Sequence, residues 1–282
     1  MYKILSKTVL NPTVTKMDIY APLVAKKAAA GQFIILRVSN NGERIPLTIA
    51  DTNCQTGAVT IIFQLAGATT IMLNQKEAGQ YICDFVGPLG KPTQLKHINK
   101  ACIVGGGVGC AIAYPIAKEL HRQGKTVHTI AGFRSKELVI LENEFQKVSD
   151  LLITMTDDGS YGKKGLVTNA LQQLIDDGNT YDEVITIGPL IMMKFVCDLT
   201  KKYSIKTTVS MNSIMIDGTG MCGCCRLTVD GKMKFACVDS PDFDGHAIDF
   251  NEAIQRSRIY INQENKCKEN CNLLKKGTNN NG

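Results

Sequence analysis

No segment of this chain reads as a membrane span. The longest uncharged apolar run in its 282 residues, ACIVGGGVGCAIAYPIA, is interrupted by four glycines and a proline, whereas a spanning helix needs about 20 continuous apolar residues. A secretory leader is also missing: in MYKILSKTVLNP, Lys7 arrives too early for an apolar signal core. These two absences lead to the expectation of a cytoplasmic protein. Nothing points to a disulfide scaffold, since the eleven cysteines are odd in number and Cys102, Cys110 and Cys197 lie in apolar runs, where free thiols pack as small hydrophobes. The formal charge of +6 leaves no footprint for nucleic acid. Lys266, Lys268, Lys275 and Lys276 against Glu269 put half of it near the C-terminus, and the rest is spread over a large body. There is no internal repeat and no long low-complexity linker.

What is present falls into successive textures. Residues 1–97 carry short runs rich in Val, Ile, Thr and Phe (GQFIILRV, GAVTIIFQLA, QYICDFVGPLG), punctuated by Gly, Asn and Pro, the pattern of a small antiparallel barrel. Residues 98–210 alternate apolar strands (ACIVGG, TVHTIAGF, LLITMTDD, EVITIGP) with helical stretches, which predicts an α/β domain with a parallel sheet covered on both faces. Residues 211–260 hold a cysteine-rich segment. Residues 261–282 read as a polar tail, whose end, KKGTNNNG, is expected to be disordered.

Four cysteines crowd into the sixteen positions from Cys222 to Cys237. Written out, the spacing is Asp217-x4-Cys222-x2-Cys225-x11-Cys237, and C-x4-C-x2-C…C is the plant-type framework for a 2Fe-2S cluster. Gly218, Gly220 and Gly223 allow the backbone to fold tightly around such a cluster and bring amides close to its sulfides. An aspartate in the first slot remains a competent, harder ligand. Two alternatives stay open. Cys222, Cys224 or Cys225, and Cys237 are also the donors of a zinc knuckle, without its usual paired spacing, and Cys224 is a substitute for Asp217 in the first slot. The tail pair Cys267 and Cys271 has no companion ligands and reads as free thiols.

Upstream, NKACIVGGGVGCAIAYPIAKEL reads as strand, glycine-rich turn and helix. Gly105, Gly106, Gly107 and Gly109 let helix-terminal amides approach a pyrophosphate, which the helix dipole also favours. Cys110 stands where the third glycine of the dinucleotide fingerprint belongs, and TVHTIAGF does not end in a ribose-binding carboxylate. In the first region, ERIPLTIAD sets Arg44, Pro46, Leu47 and Thr48 on one segment. In QLAGATTIMLN, Gly67, Ala68, Thr69 and Thr70 open a helix whose N–H groups suit a phosphate. Taken singly, Arg44 also reads as a solvated charge and Thr69 or Thr70 as an ordinary cap.

The order of these motifs resembles the ferredoxin reductase-like flavoproteins of the dihydroorotate dehydrogenase electron-transfer subunit type. The match runs through GQF, R-x-P-L-T, GPLG, the glycine turn, IGPLIMM and the cysteine segment, over about residues 1–260. Within that group, DGTGMCG and FACVDSPDFDGHAIDF are similar to the branch of the small subunits of NADH-dependent reduced ferredoxin:NADP oxidoreductases. In the dihydroorotate branch, which remains the close alternative, the first cluster ligand is ordinarily cysteine, and Asp217 argues against it. A non-redox, zinc-bearing nucleotide module is the reading from another class.

The resemblance implies FAD held by Arg44, Pro46, Leu47 and Thr48, with Gly67 to Thr70 near its pyrophosphate. It implies NAD(H) as substrate over Gly105 to Gly109, with Asp157, Asp158, Gly159, Gly188, Pro189 and Met192 lining the same cleft. It also implies a 2Fe-2S cluster and a larger flavin/iron-sulfur partner subunit in a heterodimer or higher assembly, since this chain holds no second redox domain. Two departures stand out: Ile187 replaces the group's usual cysteine before Gly-Pro, and Ile112 replaces a proline, although Pro115 remains. Nicotinamide gives up electrons as a pair and an iron-sulfur cluster takes them singly, so a flavin is needed between them. No acid or base is demanded, and none of His97, His121, His128 and His246 is nominated as catalytic. Arg134 is the candidate for meeting a 2'-phosphate, and the resemblance favours NADH.

Overall fold

The computed structural model describes residues 1–270, and the side chains of residues 1–266. The first part is a seven-stranded antiparallel sheet formed by β1 (Tyr2–Asn11), β2 (Val14–Tyr20), β3 (Phe33–Arg37), β4 (Arg44–Asn53), β5 (Ala58–Gln64), β6 (Tyr81–Ile82) and β7 (Asp84–Leu89), in the order β6-β1-β2-β5-β4-β3-β7. Alternate residues point inward, as a half-buried strand requires. Met17 and Ile19 on β2 face Val59, Ile61 and Phe63 on β5 in one core with Ile34, Leu36 and Phe85. Register shifts in β1, β3 and β4 bend the strands toward closure. Two short helices, α1 (Pro22–Lys27) and α2 (Ala68–Asn74), lie in the connections.

A second seven-stranded sheet contains β8 (Lys100–Gly106), β9 (Thr126–Phe133), β10 (Leu151–Thr156), β11 (Lys163–Lys164), β12 (Glu183–Ile187), β13 (Thr207–Ser210) and, farther along the chain, Asp242–Asp244. Strands β8 to β13 are mutually parallel. Helices α3 (Gly109–Arg122) and α4 (Glu142–Gln146) cover one face, packing Ile116, Leu120 and Phe145 on Ile103 and Ile185. The other face is covered by α5 (Val167–Asp176) and α6 (Leu190–Lys202), with Leu171, Leu174 and Val196 on Val104, Ile130 and Val184. All four strands expected from the sequence form. The order turns at β8, which has β9 on one side and β12 on the other, so the crevice beyond its C-terminal end is where this architecture binds ligands. Lys118 on α3 ties the two parts together, its ammonium 2.7 and 2.8 Å from the oxygens of Asp51 on β4.

The third part is less separate than its texture implies. A hairpin of β14 (Arg226–Val229) and β15 (Lys232–Phe235) stands alone, but β16 (Asp242–Asp244) adds to the second sheet, antiparallel to β13. The sheet therefore crosses the expected boundary at residue 210. Helix α7 (Phe250–Ser257) follows, and Ile261–Asn270 form α8; the stretch KKGTNNNG, for which disorder is expected, lies outside the described residues. Residues 271–282, with Cys271, and the side chain of Cys267 lie outside the described residues. Among the described residues, no helix is long and apolar enough to cross a membrane.

Candidate functional site

A cleft of about 820 Å³ opens between the barrel and the second sheet. One wall carries Pro46, Leu47 and Thr48 of β4; the other carries Gly106, Gly107 and Gly109, Asp157, Gly188, Pro189 and Met192. Two groups of residues proposed from separate sequence motifs thus share one space, of a size typical for cofactor sites. Sequence reasoning missed Gly132, Phe133, Val167 and Thr168, which also line it. The signal available for Gly132 was a glycine at the end of an apolar strand, and its amide carbonyl accepts from Gly107 N–H at 2.8 Å.

The glycines of the β8–α3 turn do different things. A Cβ on Gly109 would lie 2.5 Å from Ile187 O and 2.9 Å from Gly188 Cα, and one on Gly106 would collide with Met192. These two, with Gly188, let the β8–α3 and β12–α6 loops meet at close range. Gly105 packs against Cys110, where a Cβ would be 2.8 Å from the thiol sulfur. Cys110 thus occupies the place of the missing third glycine as a fully buried filler, its thiol pushed up to about 12 by burial. Of these turn glycines Gly107 alone has open space at its Cβ, with φ +55°, and it lines the cleft.

In TDDGSYGKKG, Asp157 and Gly165 line the cleft, while Asp158 and Gly159 do not. The Asp158 carboxylate accepts from Ser160 N–H at 2.9 Å and Ser160 O–H at 2.7 Å; the Ser160 hydroxyl chiefly holds it below the usual carboxylate range. Gly159, at φ +77°, packs on Lys164. These two residues shape the turn.

On the barrel side, Arg44 is exposed and lies outside the cleft lining. Buried Thr69 donates to Glu43 Oε2 at 3.2 Å, which brings the start of α2 beside Arg44. The Thr70 hydroxyl accepts from the N–H groups of Ala66 and Gly67 at 3.0 and 3.1 Å. The first helical amides, from Ala68 to Thr70, keep no intrahelical acceptor. An arginine and a helix start are therefore adjacent, an arrangement suited to phosphate.

The cysteine segment forms a loop whose donors come in two pairs. Cys225 and Cys237 are buried with sulfurs 3.2 Å apart, near the spacing of about 3.8 Å that two thiolates take on one tetrahedral metal ion. The other pair is Asp217 and exposed Cys222. Asp217 accepts from Thr219 N–H at 2.8 Å through one oxygen and from Cys222 N–H at 3.1 Å through the other. These bonds, Thr219's first, hold the carboxyl below its usual range, and each oxygen keeps a lone pair for a metal.

Backbone amides also reach the sulfurs: that of Cys224 holds the Cys222 thiol below its usual value, and that of Gly220 reaches Cys237. Burial pushes the Cys237 thiol up to about 12, so it ionises only against a cation such as iron. Glycines 218, 220 and 223 all have positive φ, the reason the loop turns so tightly. Gly218 presses on the barrel, where a Cβ would lie 2.9 Å from Ile35 and Leu89. Cys224 is half-buried beside Cys222, its thiol 4.0 Å from Cys222 O, and the residue also lines a small cavity with Arg226 and Arg256. Among the described residues no three His, Cys, Asp or Glu side chains gather around one point, as a single zinc ion would need. A two-iron cluster takes its donors in pairs, and the loop fits it.

No histidine lines the cleft among the described residues. His97 bonds Glu183 at 2.6 Å, His128 bonds Tyr181 at 2.9 Å, and His246 bonds Thr200 at 3.0 Å, while His121 is exposed on α3.

Residues 212–249 match the family model of the iron-sulfur cluster binding domain of dihydroorotate dehydrogenase B. The chain is 43% identical over 262 residues to a dihydroorotate dehydrogenase B (NAD(+)) electron transfer subunit homolog of Thermotoga maritima, covering 93% of this chain and 92% of that protein. It is 33% identical over 243 residues to the dihydroorotate dehydrogenase B (NAD(+)) electron transfer subunit of Bacillus pumilus, covering 83% and 91%. Among solved structures, a chain of the NADH-dependent reduced ferredoxin-NADP oxidoreductase, described for flavin-based electron bifurcation, superposes with a TM-score of 0.89 at 42% identity, covering 95% of this chain and 97% of that one.

Proposed function

We propose, from the premise that this chain belongs to the dihydroorotate dehydrogenase B electron-transfer subunit family, that it carries electrons from NADH through FAD and a 2Fe-2S cluster to a larger flavoprotein subunit in the cytoplasm, in the manner of the ferredoxin:NADP oxidoreductases. One observation carries the reading. Phe33, Met211 and Met215 are at once walls of the cleft and members of the buried core that holds Cys225 and Cys237. The cleft and the cluster loop are therefore separated by a single layer of apolar side chains.

In this reading Pro46, Leu47 and Thr48 face the flavin ring and Arg44 with the start of α2 holds its pyrophosphate. The backbone at Gly107 and the N-terminus of α3 receive the nucleotide, and Asp217, Cys222, Cys225 and Cys237 hold the cluster. When bound, the flavin supplies exchange of an electron pair with nicotinamide and of single electrons with iron. The chain orients these groups and keeps water from the layer between them; no side chain is asked to move a proton to or from the nucleotide. Asp217 is taken as the fourth ligand over Cys224, which directly precedes Cys225 in the chain and would crowd the same iron.

Anaerobic purification from the native cell tests the reading: expected are one FAD and one 2Fe-2S cluster per chain, bleaching by NADH, and a larger flavin-containing subunit copurifying. A colourless chain with stoichiometric zinc would sink it. The relatives' names favour a second reading, in which the partner oxidises dihydroorotate; reduction of NAD by dihydroorotate in the purified complex would select that one. On the barrel side, Arg44→Ala is expected to weaken FAD binding by about 10- to 100-fold, the worth of charge-assisted bonds to phosphate. Arg44 makes no ion pair among the described residues, so the melting temperature of the apoprotein should stay unchanged. Flavin lost on gel filtration measures the effect.

A further inference from the structure

Asp242 is a carboxyl that the functional reading leaves unused, and its surroundings are unusual. It lies on β16 opposite Ser210 of β13. Ser210, the preceding Pro241 and Gly31 all line the cleft. The following residue, Phe243, packs on the core that contains Cys225 and Cys237. Asp242 thus stands between the cleft wall and the cluster loop.

The residue as a whole is half-buried, but its carboxyl is sealed: Oδ1 has no contact with solvent and no hydrogen-bond partner. The Ser210 hydroxyl is close enough to favour the charged form but is not aligned to bond Oδ1. Oδ2 accepts from Thr93 Oγ at 2.5 Å. Thr93 is itself half-exposed, so its hydroxyl is the connection between the buried carboxyl and water. The charged groups around it do not compensate a negative charge. Glu183, buried on β12, adds a second one, and the nearby Lys206 ammonium and His97 ring are taken by Glu183 at 2.8 and 2.6 Å. Asp244 on the same strand is exposed. Buried oxygens without a donor are rare and call for an explanation.

We propose that Asp242 is a redox-linked proton site: it takes up one proton when electrons enter the cleft and the cluster beside it, and releases it when they leave for the partner subunit. This rests on the electron-transfer reading above. The balance is simple. The reduced nucleotide departs oxidised, having given two electrons and a proton; at Asp242 one O–H bond forms, with a proton drawn from water through Thr93, and the same bond breaks as the electrons pass on. Asp242 stores charge and touches no reacting atom. Its protonation removes the buried negative charge that Oδ1 has no donor to stabilise. Burial, with Glu183 adding to it and Thr93 opposing it, pushes the carboxyl up to about 6. It is therefore ionised in the oxidised protein near neutral pH yet close to taking a proton when negative charge arrives.

The test uses the holoprotein. Reduced-minus-oxidised infrared spectra are expected to show a protonated-carboxyl band that is absent in Asp242→Asn, and flavin and cluster midpoint potentials should depend less on pH in that variant between about pH 5 and 8. Thr93→Val should delay the band relative to electron arrival, and Thr93→Ser should restore it. The apoprotein gives an independent readout. A carboxyl raised above its unfolded value makes the wild type lose stability as pH rises from about 4 through about 6, a fall that Asp242→Asn should not show. Should Asp242→Asn fail to fold, the wild-type spectrum decides alone. A wild type that binds flavin and iron and accepts electrons from NADH but shows no carboxyl band overturns the proposal and leaves the functional reading intact. A wild type that takes up neither flavin nor iron overturns both.

Discussion

Cys225→Ala or Cys237→Ala is expected to strip the chain of iron and acid-labile sulfide, while flavin content and NADH oxidation by an artificial two-electron acceptor stay near normal. The two sulfurs are 3.2 Å apart in the core under the loop, so losing either leaves one metal position with a single protein donor. Cys222→Ala should have the same effect, because it removes the thiolate of the other donor pair, Asp217 and Cys222. Asp217→Cys should keep a cluster but shift its spectrum and potential, since thiolate donates more charge to iron than carboxylate does. Asp217→Ala should leave the cluster labile, and it also removes two backbone acceptor contacts of 2.8 and 3.1 Å. Asp217→Asn separates these roles, keeping one amide contact without the charge. Iron and sulfide assays with electron paramagnetic resonance of the reduced protein measure the series. A harmless Asp217→Ala together with a destructive Cys224→Ala would mean four cysteine ligands and would move the dihydroorotate-type partner ahead.

Gly107→Val and Gly109→Val, alike on paper, are expected to fail differently. Gly107 has open space at its Cβ and faces the cleft. A side chain there obstructs the nucleotide, and NADH turnover should fall about 100-fold, the order seen when a reactant is held an ångström out of place. Because φ is +55°, valine also adds strain of about 1–2 kcal/mol. Gly107→Asn, which tolerates that backbone conformation, should lose turnover with less strain. Gly109→Val instead drives into Ile187 O and Gly188. It is expected to cost about 1–3 kcal/mol of stability, read as a melting temperature lower by several degrees. Thermal melts of the apoprotein beside NADH kinetics tell the two apart. Equal turnover in Gly107→Asn and the wild type would remove this turn from the nucleotide site.

Much of the site was legible because its signals are local. The spacing from Asp217 to Cys237 encloses a loop in which chemistry, glycine content and geometry are set within one short stretch, and the structure gathers those residues as two donor pairs. The alternating strands and helices of residues 98–210 were legible for a similar reason, since hydrophobic period and turn residues are local properties. What the sequence left illegible depends on distance along the chain. Strand β16 pairs with β13, more than thirty residues earlier, across the boundary drawn at residue 210.

By itself the sequence determined the order of the modules, the donor types for a cluster and the presence of a strand-turn-helix able to meet a phosphate, because each is written in neighbouring residues. Only the tertiary structure decided which glycines let loops touch and which one leaves open space in the cleft. That depends on whether Ile187, Met192 or empty space lies opposite a missing Cβ. It alone brought Gly31, Thr93, Ser210 and Asp242 together, from four separate stretches of chain, around one buried carboxyl of which one oxygen has no donor. No local pattern marks such a place, since burial and the want of a partner are properties of the whole packed molecule.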